Sequence, residues 1–190
     1  LPLFNPLYTV AEAEACLQQF VTINYRRPLL LPGGVTLTFL DAGHILGSAI
    51  AILDVASEGR ISRLAYTGDL GRKDMPILRD PTPVERPDWM VLESTYGDRL
   101  HGDLEESRTS LRQAVLEVIG RGGRLLIPAF SVGRTQLVVH MLNQLLVSGE
   151  LPLVPIYVDS PMAVNATDIF RLHPECYDEE ARRILAEGED

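Results

Sequence analysis

The feature that most limits the fold is a change of character near residue 100. Before it, strand-like apolar runs follow one another at short intervals; after it, long helical patterns alternate with short apolar runs. Residues 35–40, 49–55 and 61–67 read as strands, with turns at Pro32-Gly33-Gly34 and Ser57-Glu58-Gly59-Arg60. Strands this close in sequence predict a sheet of meandering strands. A proline-rich stretch with Pro76, Pro81, Pro83 and Pro87 leads to a short, fully apolar strand at 89–92. Beyond Gly97, Asp103 caps a predicted helix over 104–119, which Gly122-Gly123 ends. A strand at 125–127, a helix at 134–146, a strand at 156–158 and a helix opened by Ser160-Pro161 follow. Helices alternating with apolar strands predict parallel βαβ units, with a boundary near 97–103. Upstream, the capping box Thr9-Val10-Ala11-Glu12 predicts a helix to about Phe20.

Apolar residues make up 46% of the 190, enough for a core and against global disorder. The net charge of -9 argues against binding nucleic acid by bulk electrostatics, because phosphate neutralisation takes clustered Lys and Arg. It leaves room for a nuclease whose cleft is locally basic or metal-loaded. Cys16 and Cys176 stand far apart in predicted helices and read as buried or half-buried thiols. No disulfide scaffold is indicated, so a reducing cytoplasm is expected. No apolar run approaches the ~18 residues that span a membrane. The opening Leu1-Pro2-Leu3-Phe4 lacks both a basic signal-peptide region and an initiator Met, which points to an internal piece of a longer protein.

Two loops carry candidate chemistry. In Asp41-Ala42-Gly43-His44-Ile45-Leu46-Gly47-Ser48 a strand ends and another begins, so His44 sits in a tight glycine-flanked loop. In Tyr66-Thr67-Gly68-Asp69-Leu70-Gly71 a strand again runs into an acid-bearing loop; a turn-capping aspartate is the competing account. An imidazole and a carboxylate delivered to one rim of a sheet suit Zn²⁺ or another borderline cation, although a catalytic zinc takes about three protein ligands. Ser131, Arg134 and Ser160 follow strands and open helices, where helix N-termini make ready anion sites; ordinary helix caps are the alternative. His140 and His173 read as structural.

The loop at 41–48 resembles the third metal motif of metallo-β-lactamase-fold hydrolases, and 66–71 resembles their fourth. Leu92-Glu93-Ser94-Thr95-Tyr96-Gly97-Asp98-Arg99 is similar to the acidic motif that opens the β-CASP region. Ile127-Pro128-Ala129-Phe130-Ser131-Val132-Gly133-Arg134-Thr135-Gln136 and Ile156-Tyr157-Val158-Asp159-Ser160-Pro161-Met162-Ala163 resemble β-CASP core segments. The resemblance covers about 35–163 and is closest to RNA-processing members. It implies that His44 ligates one metal, that Asp69 bridges two, and that Glu93 orients a histidine beyond this chain. It implies two Zn²⁺ ions, with Mn²⁺ as the alternative. The family's His-x-His-x-Asp-His run and its late histidine motifs do not occur here. Truncation on both sides explains this better than decay, since His44 and Asp69 are both retained.

The expected architecture is α/β: part of a metallo-β-lactamase αββα sandwich over 1–97, then part of a parallel-sheet β-CASP domain over 98–190. The expected activity of the parent is metal-dependent hydrolysis of RNA phosphodiesters, the piece itself being inactive. Its catalytic residues would be His44, Asp69 and Glu93, and its nucleic-acid contacts Ser131, Arg134, Ser160 and His101. A DNA-directed β-CASP nuclease and a non-catalytic scaffold of an RNA-processing complex are the alternatives. Single-stranded RNA is the expected partner; a homodimer is compatible with the sequence, and no membrane is expected.

Overall fold

The computed structural model describes residues 6–187; the opening Leu1-Pro2-Leu3-Phe4 lies outside them. A first helix, α1 (Val10–Leu17), begins at the expected box: Thr9 Oγ1 accepts from Glu12 N at 3.3 Å, and Thr9 N donates back to Glu12 Oε2 at 2.7 Å. It stops short of Phe20 and buries none of its residues, so Cys16 is exposed; only Cys176 fits the reading of a half-buried thiol.

The strands β1 (Leu29–Leu31), β2 (Val35–Asp41), β3 (Ala49–Ser57), β4 (Arg60–Tyr66) and β5 (Trp89–Val91) form one sheet in that spatial order. β1 to β4 are antiparallel neighbours, and β5 lies parallel to β4. The β3–β4 hairpin closes on Glu58-Gly59, both at positive φ (51° and 76°), as a two-residue turn compatible with strand twist requires. Inward positions alternate along β3, so Ile50 and Ile52 pack with Ala42 and Ala65, covered by Leu40, Leu70 and Val84. Across the β3–β4 pair, Arg63 grips Asp54 with two bonds, Nε to Oδ1 at 2.7 Å and Nη2 to Oδ2 at 2.8 Å. That guanidinium holds the Asp54 carboxyl below its usual range. Arg63 N also donates to Asp88 Oδ2 at 2.8 Å, and Asp88 N to Arg63 O at 2.9 Å. These bonds clip the end of the proline-rich segment onto β4 and set β5 alongside it.

The second half is helical: α2 (Leu104–Gly120), α3 (Arg134–Val147), α4 (Pro161–Leu172), a 3₁₀ turn (Pro174–Cys176) and α5 (Glu179–Glu187). Asp103 caps α2 by accepting from Glu105 N at 3.0 Å, and Ser160 caps α4 by accepting from Ala163 N at 3.2 Å. α3 packs against both α2 and α4. Val115, Leu142, Leu145 and Leu151 make a core separate from that of the sheet.

The expected strands at 125–127 and 156–158 are not formed, and with them fall the parallel βαβ units. These segments exchange no backbone hydrogen bonds with any other described residue, and Leu126 and Tyr157 stand 88% and 87% exposed. Their apolar character matches a strand, but a strand also needs a neighbour to bond, and β4–β5 is the parallel pairing among the described residues. The architecture is therefore a mixed α/β one, an antiparallel meander with one parallel strand beside a helical half.

The halves are stitched by a short antiparallel bridge, Leu78 against Tyr177, with Arg79 N donating to Cys176 O at 3.3 Å and Asp178 N to Ile77 O at 3.0 Å. Beneath it, buried Asp41 faces Arg26 at 3.5 Å and Arg79 at 3.4 Å. Close by, burial pushes the Tyr25 hydroxyl up to about 12, helped by the neighbouring Cys176 and Asp41. No helix among the described residues is long and apolar enough to cross a membrane.

Candidate active site

β2, β4 and β5 run in one direction, because β2 and β4 are each antiparallel to β3 and β5 is parallel to β4. Their C-terminal ends therefore share one edge of the sheet. From that edge β2 releases the loop of His44, β4 that of Asp69, and β5 that of Glu93.

The first two loops interlock through glycines. Gly71 N donates to Ala42 O at 2.8 Å, and a Cβ on Gly71 would overlap the Gly43 carbonyl. Gly43 itself has φ +64°, and a Cβ there would lie 2.7 Å from Arg79 O. On the other side, His44 N and Ile45 N donate to Ser48 Oγ at 3.1 and 3.2 Å, and the Tyr25 hydroxyl donates to Ser48 O at 2.9 Å. The result is that His44 Nε2 stands 3.9 Å from Asp69 Oδ2, with both side chains open to solvent. No backbone N–H is bonded to the Asp69 carboxylate among the described residues, which counts against a turn-capping role.

Glu93 braces the Asp69 loop. Its Oε1 accepts from Leu70 N at 2.5 Å, and Glu93 N donates to Thr67 Oγ1 at 3.4 Å. The Leu70 amide, then the Thr95 hydroxyl, and at longer range the charge of His44 hold the Glu93 carboxyl below its usual range. Glu93 thus stays an acceptor tied to the Asp69 loop.

The donor set fits a borderline cation in part. Zinc bonds to imidazole nitrogen and carboxylate oxygen run about 2.0–2.2 Å, so one ion between His44 Nε2 and Asp69 Oδ2 reaches both. Among the described residues no cluster of three or more His, Cys, Asp or Glu is assembled for a metal.

A second set of candidates meets the first across the seam. Gly133, the residue before α3, has φ +79°, and a Cβ on it would lie 3.0 Å from Ile45 Cγ2. The start of α3 thus rests on the His44 loop. Ser131 Oγ and Ser160 Oγ are 3.2 Å apart, so the loops entering α3 and α4 present their hydroxyls together. Arg134, the first residue of α3, is exposed and has no side-chain hydrogen bond or ion pair among the described residues. His101 lies in the loop after Glu93, its ring 4.5 Å from that of Tyr96. Arg72 ties this loop to the Asp69 segment by donating from Nη2 to Gly102 O at 2.9 Å.

Residues 135–189 match the Beta-Casp domain. The chain is 31% identical over 98% of its length to a ribonuclease of Thermus thermophilus, covering 42% of that protein. It is 30% identical over 95% of its length to the cleavage and polyadenylation specificity factor 73 of Drosophila melanogaster, covering 26%. With the transcription termination factor FttA of Methanocaldococcus jannaschii it shares 35% over 96% of its length, covering 29%. Over nearly its whole length the chain is similar to proteins of the metallo-β-lactamase β-CASP family, and 135–189 match the Beta-Casp domain itself. It spans less than half the length of each of these relatives.

Within the β-CASP half one residue escaped the sequence reading. Gln136 is 7% exposed. Its Oε1 accepts from Gly133 N at 2.7 Å, and its Nε2 lies 3.1 Å from Ser131 O, 3.2 Å from Ala163 O and 3.0 Å from Thr167 Oγ1. This one amide therefore holds the α3 and α4 entry loops in register. The available signal was Gln three residues after a glycine at a helix start, one half of a capping box. The two histidines read as structural lie off the rim. Burial in α3 pushes the His140 imidazole below its usual value, and His173 pairs with Glu175 at 2.7 Å.

Proposed function

We propose that the whole protein hydrolyses phosphodiester bonds of single-stranded RNA where the His44–Asp69 rim meets the β-CASP half. The contact of Gly133 with Ile45 supports this reading, because it rests the start of α3, where Arg134 is exposed and unpaired among the described residues, on the loop that carries His44. The relatives point the same way: one is named a ribonuclease, another a cleavage and polyadenylation factor. In this reading 1–97 belong to a metallo-β-lactamase αββα sandwich and 98–190 to the β-CASP domain, working in a reducing cytoplasm.

His44 and Asp69 would hold metal, Zn²⁺ first and Mn²⁺ as the alternative, with Asp69 shared between two ions. When bound, such a pair supplies an activated water and stabilises charge on the reacting phosphate. The protein's own groups do the rest. Glu93 fixes the Leu70 amide and so the direction of Asp69. Ser131 and Ser160 offer hydroxyls at two helix starts, and Arg134 offers a guanidinium fork to phosphate oxygens. That is a local anion track on a chain of net charge -9.

The test is cleavage of a single-stranded RNA by the full-length protein with Zn²⁺ or Mn²⁺, abolished by chelator. Failure to cleave RNA under these conditions refutes the reading, and cleavage confined to single-stranded DNA transfers it to that substrate. Arg134→Ala is expected to weaken RNA binding and to lower the slope of log affinity against log salt by about one, with metal content unchanged. An unchanged affinity and slope would remove Arg134 from the track.

A further inference from the structure

We infer that Tyr96, Arg99 and His101 form a stacking platform for an unpaired base of the RNA, beside the proposed cleavage rim. The inference rests on the RNA reading above and adds a contact to the base where that reading has contacts only to the backbone.

Three flat π groups converge within six residues. The Arg99 guanidinium carbon lies 4.7 Å from the centroid of the Tyr96 ring, and the His101 ring lies 4.5 Å from it at 51°. None of the three belongs to either core. Tyr96 remains 52% exposed, and the Arg99 side chain 64%. The acid nearest Arg99 is Asp98, 3.8 Å away and 86% exposed, a pairing that water screens to little effect. The cluster thus keeps an open planar surface and a loosely held cation.

Its backbone is fixed. Gly97 N donates to Ser94 O at 3.1 Å and Arg99 N to Tyr96 O at 3.3 Å, so consecutive turns shape the loop. Upstream, Glu93 is bonded to Leu70; downstream, Gly102 is bonded to Arg72. Both anchors lie in the segment that carries Asp69, so the platform stands on the same sheet edge as the His44–Asp69 pair.

Unstacked bases of single-stranded RNA settle on aromatic rings and on guanidinium planes. Every base has a π face, so such a surface accepts RNA with little regard to sequence. A base held here would fix the nucleotide next to the phosphate at the rim, which phosphate contacts alone leave free to slide.

The experiment measures binding by the full-length protein to a single-stranded uridine oligonucleotide and to an abasic sugar-phosphate chain of equal length. The wild type is expected to prefer the base-bearing chain. Tyr96→Leu is expected to lose roughly tenfold in affinity for it, with no change in salt slope, and to bind the abasic chain as before. Tyr96→Phe, which keeps the ring, should stay near wild type. The platform is refuted if the wild type binds both chains equally, a result independent of any variant. It is also refuted if Tyr96→Leu binds RNA normally, or if Tyr96→Phe is as damaged as Tyr96→Leu. A wild type that neither binds nor cleaves RNA brings down the RNA reading and the platform with it. A wild type that cleaves RNA yet shows no base preference brings down the platform alone.

Discussion

Asp69→Asn in the full-length protein is expected to lower bound metal and to cut RNA cleavage by more than roughly a hundredfold, beyond the loss typical of a residue that merely supports a ligand. The folded structure should survive. The Asp69 side chain is 74% exposed and is bonded to no backbone N–H among the described residues, so its removal leaves no buried group unpaired. Asparagine keeps the shape and loses the charge that draws a cation. A turn-capping aspartate would behave in the opposite way, costing about 0.5–2 kcal/mol of stability with activity near normal. Metal analysis, a melting curve and a cleavage assay on one preparation separate the two. Full metal content with full turnover would end the ligand assignment.

Gly71→Ala should do comparable damage from a position that bears no chemistry. Its added methyl would overlap the Gly43 carbonyl and come within 2.8 Å of His44 N, all of it backbone with no flexible side chain to yield. The loops of His44 and Asp69 must then part, and the bond from Gly71 N to Ala42 O goes with them. Overpacking of this kind costs about 1–3 kcal/mol. Metal binding should fall as well, because the 3.9 Å spacing of His44 and Asp69 depends on the interlock. Gly102→Ala serves as the control: nothing lies within 4 Å of the Cβ it would gain. If Gly71→Ala retained both stability and metal, close packing of the glycines would not be what sets the spacing.

Much of this rim was legible in the sequence because its parts are local. A glycine-flanked histidine after one strand and an aspartate after another could be placed on an edge from strand order alone. The caps at Thr9, Asp103 and Ser160 were readable for the same reason, since each acts within three residues. The failures are non-local. Residues 125–127 and 156–158 look like strands by side chain, but pairing is a property of two segments, and no described residue pairs with them. β1 was missed because three leucines after Pro28 are too few to show a period; pairing with β2 defines it. α5 lies past the last stretch in which helix and strand visibly alternate. Gln136 shows only half a capping box in the sequence, and its bonds to Ala163 and Thr167 reach a helix that only the fold brings near.

The two separate cores have a thermodynamic consequence. One cluster, around Ile50 and Ile52, supports the His44 and Asp69 loops; the other, around Leu142 and Leu145, supports α3 and the residues at its start. Among the described residues the links between them include the bridge at Leu78 and Tyr177, a few backbone bonds, the Arg72 bond to Gly102 and the touch of Ile45 on Gly133. Parts joined so sparingly unfold as distinct cooperative units, each with its own free energy of opening. The rim and the proposed anion track sit in different units. Their apposition is therefore expected to be lost first on heating or in denaturant, at conditions where each core is still intact.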